Sequence, residues 1–344
     1  GTGMPGGDGP TGKDRGMRAG VIGGAAGVLL ALTGWSGTEA QAPSTCRSDG
    51  LGVARTISLD STQGPRYGNQ QFHDHSLLRD GEVILTFDDG PHLLYTKMVL
   101  DALEAHCTRA TFFMVGFRAM TAPAMVRDIA RRGHTVGTHT WSHQDLAKLD
   151  PIAAKAEIEL GISAVQRASG APAAPFFRFP YLSSPRGMQT YLKSRNTGMF
   201  SIDVDSYDYK TRSPTLVVRN VMQQLRVKKK GIVLFHDIQP STAGAIRLML
   251  DELKRGGFQV VHIRASQGQV TVAEFDKRID HDYASRKLAS LPIGQRGVVA
   301  PGWEVAVQPP AGAGIQGGAA AAAQTAPRPA RATEDWRTSV FSSQ

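Results

Sequence analysis

Cysteine is nearly absent from this chain: there are two among 344 residues, Cys46 and Cys107. Neither lies in a CxxC pair or a Cys/His cluster, which argues against a thiolate metal site. Aromatic residues do not interleave with basic ones, and no nucleic-acid motif is present, so the net charge of +9 does not point to DNA or RNA. The main basic run, RVKKK at 226–230, ends a predicted helix, where cations read as a solvated cap before they read as an anion patch. One long uncharged run lies near the start of the chain. AGVIGGAAGVLLALTGWSGT (19–38) follows Lys13, Arg15 and Arg18 and has no charge until Glu39. With small residues at Ala40 and Ala42, residues 1–45 have the pattern of an export signal. The run is also nearly long enough to span a bilayer, so a cleaved signal and an anchor through 19–38 both stay open. The expected location is periplasmic or secreted, or anchored at the inner membrane. In an exported chain an even pair of cysteines reads as a disulfide, here stapling an extension at 46–81 to the domain that follows.

The middle of the chain alternates strand-like and helix-like segments. Strands are expected at 82–87, 110–115, 135–139, 176–179, 199–204, 231–236 and 258–263. Helices are expected near 95–106, 119–132, 150–169, 184–195, 213–229 and 243–255. Asp150-Pro151 and Ser213-Pro214 each place a capping side chain before a proline at the first helical position. Ile158, Ile162 and Val165 share one face, as do Val218, Val221, Met222 and Leu225, and Ile246, Met249, Leu250 and Leu253. These stripes are core. The alternation predicts a parallel α/β sheet, open or closed. Asp88, Asp89, His139, Arg178, Asp203, Asp205 and His236 all fall at or just past strand C-termini, which favours the rim of a barrel. Residues 309–332 are Pro/Gly/Ala-rich; 266–300 reads as a weakly ordered extension and the rest of 266–344 as disordered.

The chemistry begins with TFDDGPH, where two carboxylates close a buried strand. Adjacent like charges need a cation to compensate them. HTWSH supplies His139 and His143, four apart, on one side of a helix or of a tight loop entering one. Two imidazoles and one carboxylate hold Zn²⁺ or a similar ion with a position left open. Asp89 would complete that set and leave Asp88 as a base. Hydrolysis also needs an acid and an oxyanion donor. His236, ending the apolar strand of LFHD, is the natural acid, and Asp208, or failing that Asp203 or Asp205, could keep it protonated. Arg178 in RFPY could pair with Asp88, and the Tyr181 amide could face the oxyanion.

TFDDGP, HTWSH, RFPY, DVDSYDY and LFHD, in this order over about 82–265, closely resemble the five motifs of the polysaccharide deacetylases of carbohydrate esterase family 4. That group includes the nodulation-type chitooligosaccharide deacetylases. The resemblance implies a distorted (β/α) barrel of about seven parallel strands and a divalent metal, usually zinc, with cobalt or nickel in some relatives. It implies Asp88 as base, Asp89, His139 and His143 as ligands and His236 as acid. Arg178 would orient Asp88, Asp208 would tune His236 and the Tyr181 amide would stabilise the oxyanion. Two positions depart from the family pattern. Leu182 stands where a glycine usually follows, and Tyr209 where a tryptophan usually walls the acetyl pocket. Leu234 reads equally as a wall of the methyl pocket and as an ordinary strand leucine.

Three other polar features read as structural. His92 is expected in a surface loop, His134 in a structural hydrogen bond, and FHDHS (72–76) in a loop and not in a metal site. The expectation is thus an exported, monomeric, metal-dependent hydrolase of carbon–nitrogen bonds other than peptide bonds. It would remove acetyl groups from N-acetylglucosamine in peptidoglycan or a chitin-like glycan. An O-acetyl esterase of a xylan-type polysaccharide uses the same motifs, and a non-catalytic glycan-binding module is the rival from another class.

Overall fold

The computed structural model describes Gly3, residues 46–72 and residues 77–290. The uncharged stretch 19–38, the His73–His75 part of FHDHS and the segment 309–332 lie outside the described residues. Among the described residues there are ten strands: β1 (Arg55–Leu59), β2 (Arg66–Tyr67), β3 (Glu82–Asp88), β4 (Thr111–Met114), β5 (Thr135–Thr138), β6 (Phe176–Phe177), β7 (Gly198–Phe200), β8 (Val204–Asp205), β9 (Gly231–His236) and β10 (Gln259–Ala265). Eight α-helices join them: α1 (Tyr95–Ala105), α2 (Gly116–Thr121), α3 (Pro123–Arg131), α4 (Pro151–Ser169), α5 (Arg186–Ser194), α6 (Pro214–Lys228), α7 (Pro240–Arg255) and α8 (Ala273–Ser290).

Every strand pairing is parallel. The sheet runs β2-β7-β6-β5-β4-β3-β9-β8, and β10, with β1 beyond it, pairs with the start of β3. Its two ends meet without a ladder. The Asp203 carboxylate joins them, accepting from the backbone N–H of Asn69 at 2.8 Å and from that of Ile232 at 2.7 Å. The Gln70 N–H adds a bond to the Ile202 carbonyl at 3.0 Å. The result is the distorted, incompletely hydrogen-bonded barrel that the family resemblance implied.

The alternation of β3 sorts the core. Val83, Leu85 and Phe87 pack outward with Leu100, Leu103, Val221 and Leu250 of the helices. Ile84 points inward to meet Phe113, Phe176, Phe200 and Ile232. The two-residue period therefore turns Thr86 and Asp88 inward as well, above that apolar plug. The caps expected at α4 and α6 are made: Asp150 accepts from the Ile152 and Ala153 N–H groups, and Ser213 from that of Leu216.

The seven expected strands are all present, and the short β1, β2 and β8 bring the number among the described residues to ten. Cys46 is bonded to Cys107, as expected, and the segment 46–81 so stapled also contributes β1 and β2 to the sheet. Several expectations are corrected. Segment 199–204 divides into β7 and β8 around Ile202-Asp203, and the expected helix 119–132 divides into α2 and α3 at Pro123. Residues 273–290, read as part of a weakly ordered extension, form α8. Ile279 is buried against Met120 and Ala164, and Arg167 holds Asp280 at 2.7 Å. One buried apolar residue on a highly charged helix gives too weak a periodicity to be read from sequence.

His134 makes the structural bond expected of it, its Nδ1 accepting from the Ala110 N–H at 3.2 Å. His262 lies nearby, its Nε2 3.0 Å from Thr135 Oγ1. Burial, with Arg109 adding repulsion, lowers His134 to about 3; burial, with Arg264 and Arg109, lowers His262 to about 4. Below an ordinary histidine value of about 6.5 the unfolded chain binds protons that the folded chain refuses. Stability is therefore complete above that pH and is lost as the pH falls toward 4, by about 1.4 kcal/mol per pH unit for each histidine. Urea midpoints measured between about pH 7 and about pH 5 should fall steeply, and less steeply in His134→Gln.

Candidate active site

The site is built at the C-terminal ends of the strands, on top of the apolar plug. Arg178, just past β6, is fully buried with its guanidinium 4.4 Å from the Phe113 ring centre. It donates to Asp88 Oδ1 at 2.7 Å, Thr86 Oγ1 at 2.8 Å, the Ser201 carbonyl at 3.1 Å and the Phe200 carbonyl at 3.3 Å. Burial lowers its pKa and the Asp88 charge opposes that. A carboxylate set at the end of a core strand thus has its cation. Asp88 Oδ2 remains on the other side, 3.9 Å from His139 Nε2.

Asp89 turns away from β3 with φ 73°, in the left-handed region. Its Oδ1 lies 3.1 Å from His143 Nε2 and 3.4 Å from His139 Nε2. The three ligand atoms fall within 4.8 Å of one another. His139 Nδ1 is 2.7 Å from the Arg178 carbonyl, which can only accept, so that nitrogen carries the proton and Nε2 presents its lone pair. Asp89 Oδ1 is buried and makes no hydrogen bond among the described residues. An orphaned carboxylate oxygen facing two imidazole nitrogens fits a divalent cation. Burial works to raise the Asp89 carboxyl, but the charge of His143 and the closeness of both imidazoles hold it well below the usual range.

HTWSH forms a tight loop after β5, not a helix. Thr140 and His143 both have positive φ. The loop is held by residues that the sequence reading missed. Glu157 of α4 accepts from the Ser142 N–H at 2.9 Å and from Ser142 Oγ at 2.8 Å, while its carbonyl accepts from the Trp141 N–H at 2.8 Å. Gly161 lets α4 approach, since a Cβ there would stand 2.5 Å from the Thr140 carbonyl carbon. On a helix, Glu157 and Gly161 carry no signal of their own.

His236 ends β9 directly beside Asp88 in the ladder. Asp208 meets it as expected, Oδ1 at 2.7 Å from His236 Nδ1 and Oδ2 accepting the His236 N–H at 2.7 Å. Asp208 Oδ2 also accepts from Thr242 Oγ1, and the Asp208 carbonyl from Ser241 Oγ at 2.9 Å. Burial pulls His236 down, but Asp208, aided by Asp89, pushes it up to about 10. The alternatives for this role are elsewhere: Asp203 joins the sheet ends, and Asp205 accepts from Tyr209 Oη at 3.2 Å. The Tyr209 ring stands edge-on to His236 with centres 5.6 Å apart. Leu234 is buried two residues before His236, on the same face of β9.

Tyr181 lies opposite, exposed, its ring edge-on to His143 at 4.8 Å. Its amide makes no hydrogen bond among the described residues. Tyr181 and Leu182 have φ 56° and 53°, successive left-handed residues, which explains why a glycine would be at ease at position 182. His92 is half-buried, stacked on Tyr95, and its Nδ1 accepts from the Leu94 and Tyr95 N–H groups at 3.2 Å. It starts α1 and does not reach the trio. Asp237, a further residue the reading passed over, is fully buried; burial, with Asp89 nearby, pushes its carboxyl up to about 7.

The His236–Asp208 pair is directly testable in metal-free protein. Ring resonances of His236 should titrate near pH 10, and in Asp208→Asn the midpoint should fall clearly, because only the more distant Asp89 and Asp88 charges then oppose burial. An unchanged midpoint would mean that Asp208 does not set the charge of His236.

Comparison with known proteins identifies the family. A family model described as polysaccharide deacetylase matches residues 77–199, which include Asp88, Asp89, His139, His143, Arg178 and Tyr181. A peptidoglycan-N-acetylglucosamine deacetylase of Bacillus cereus is 36% identical over 141 residues, 41% of this chain and 51% of its own. A second protein of that name from the same organism is 30% identical over 186 residues, 53% of this chain and 85% of its own. Among solved structures, a Bdellovibrio bacteriovorus peptidoglycan deacetylase is 32% identical with a TM-score of 0.58, covering 64% of this chain and 61% of that one. The match at 36% identity thus spans about half the length of that relative. The chain belongs to the polysaccharide deacetylase family.

Proposed function

We propose that this protein is a metal-dependent deacetylase that removes acetyl groups from N-acetylglucosamine units of a glycan, peptidoglycan or chitin-like, outside the cytoplasm. The observation that carries the reading is the convergence of Asp89 Oδ1 with His139 and His143 Nε2, with Asp88 on one side and His236 on the neighbouring strand. Oxygen and nitrogen donors with one carboxylate favour Zn²⁺, with Co²⁺ or Ni²⁺ as substitutes. A bound ion would supply Lewis acidity to the attacking water and the acetyl carbonyl.

The residues do the rest. Asp88 Oδ2, the oxygen that Arg178 leaves free, takes the proton from water as it attacks the acetyl carbon. The Tyr181 N–H donates to the oxygen on which charge develops. His236 Nδ1 is held by Asp208, so its Nε2–H faces the leaving nitrogen. The C–N bond breaks, the nitrogen keeps the electron pair and accepts that proton, and acetate and a free amine result. Leu234 and Tyr209 would wall the pocket for the acetyl methyl group.

Acetate release from peptidoglycan, chitooligosaccharides and acetylxylan, with mass spectra of the products, tests this reading. Release from the first two is expected; release from acetylxylan alone would make the protein an O-acetyl esterase, and no release at all a binding module. Asp88→Asn should abolish turnover while zinc stays bound. Chelation should remove activity and zinc should restore it; indifference to chelators would count against the metal.

A further inference from the structure

Asp237 follows the catalytic acid His236 in sequence but is turned away from it and fully buried. Its Oδ2 accepts a hydrogen bond from Thr96 Oγ1, and Thr96 Oγ1 in turn accepts from the His92 N–H at 2.8 Å. Thr96 is itself fully buried in the first turn of α1. Asp237 Oδ1 has no hydrogen-bond partner among the described residues. What lies against the carboxyl is Gly90, the residue after Asp89. A Cβ at position 90 would stand 2.2 Å from Asp237 Oδ2, 2.4 Å from Oδ1 and 2.6 Å from Cγ. The φ of Gly90 is not in the left-handed region, so Asp237 and not backbone strain excludes a larger residue there. On its other side, the Gly90 carbonyl accepts from the Val115 N–H at 3.2 Å. The peptide after Asp89 is therefore gripped between the end of β4 and Asp237. Asp89, at φ 73°, holds a conformation that persists only where its surroundings impose it.

We propose that Asp237 is a positioning residue for the metal-ligand loop: its carboxyl, fixed by Thr96, braces Gly90 and so holds Asp89 Oδ1 toward His139 and His143. A side chain that only filled core volume would need no carboxyl, no fixed oxygen and no glycine facing it. The bracing acts through shape and one accepted hydrogen bond, so asparagine should serve nearly as well as aspartate. Alanine should not. The inference rests on the reading of Asp89, His139 and His143 as ligands.

The test is zinc affinity of the full chain, measured in competition with a chromogenic chelator, with thermal melting of the metal-free protein as the control for folding. Asp237→Ala should weaken zinc binding by about tenfold or more, the effect typical of residues that orient a metal ligand. Asp237→Asn should stay within about threefold of wild type. Gly90→Ala should also weaken binding, because its methyl group displaces the loop. The double variant G90A/D237A should bind zinc more tightly than G90A alone, since the methyl group then enters the vacated space. Wild-type affinity in D237A, equal losses in D237N and D237A, or losses that multiply in the double variant would each overturn the proposal. If D237A fails to fold, D237N and G90A/D237A decide it. A wild-type chain that binds no zinc would overturn the ligand reading and this inference with it; a wild-type chain that binds zinc beside an unaffected D237A would overturn this inference alone.

Discussion

The architecture of the site depends on one buried ion pair, Arg178 with Asp88. A lone guanidinium or carboxylate at this depth would cost several kcal/mol. Here each offsets the other's charge, and three further guanidinium hydrogens go to Thr86 and to the carbonyls of Phe200 and Ser201. Because these partners come from β3 and from the end of β7, the same side chain ties strands on opposite parts of the barrel. It also divides the interior. Below it lie Ile84, Phe113, Phe176, Phe200 and Ile232, and above it converge Asp89, His139 and His143. The Arg178 carbonyl extends this control to His139, whose tautomer it fixes.

A second constraint follows from the first. Asp89, His139 and His143 leave their strands abruptly to converge above Arg178, and the backbone records the effort. Asp89, Thr140, His143, Tyr181, Leu182 and Tyr207 all have positive φ, and none is glycine. Each such residue costs on the order of 1 kcal/mol and persists only where neighbours over-determine it. The neighbours are identifiable: Val115 and Asp237 around Gly90, Glu157 and Gly161 around the HTWSH loop, and Asp205, whose Oδ1 accepts the Tyr207 N–H at 2.8 Å. Strain concentrated where ligands converge and relieved by a buried polar shell is a common signature of a preorganised site.

Much of this was legible in the sequence. Alternating strand-like and helix-like segments, capping residues before prolines at Asp150 and Ser213, and polar residues gathered at strand ends pointed to the parallel α/β core and its polar rim. Asp88, Asp89, His139, His143, Arg178, Asp208 and His236 announced themselves because titratable groups beside apolar runs need a reason. The supporting shell did not. Glu157 looks like one more polar residue on a helix, Thr96 like a helix-start threonine, and Asp237 like the neighbour of a more interesting histidine. β1, β2 and β8 were missed because two to five residues carry little period. α8 was missed because its buried face is little more than Ile279.

By itself, the sequence determined the order of the longer elements, the apolar stripes of the helices, and which titratable side chains end the core strands, because period and residue type are local properties. Tertiary structure alone decided the partnerships. It chose Asp208 over Asp203 and Asp205 for His236, and it gave Asp203 to the seam between the sheet ends. It placed Asp237 against Gly90, 147 positions apart in the chain. Those choices depend on how the strands register and how closely the loops approach, and neither distance nor direction between remote residues is written in local sequence.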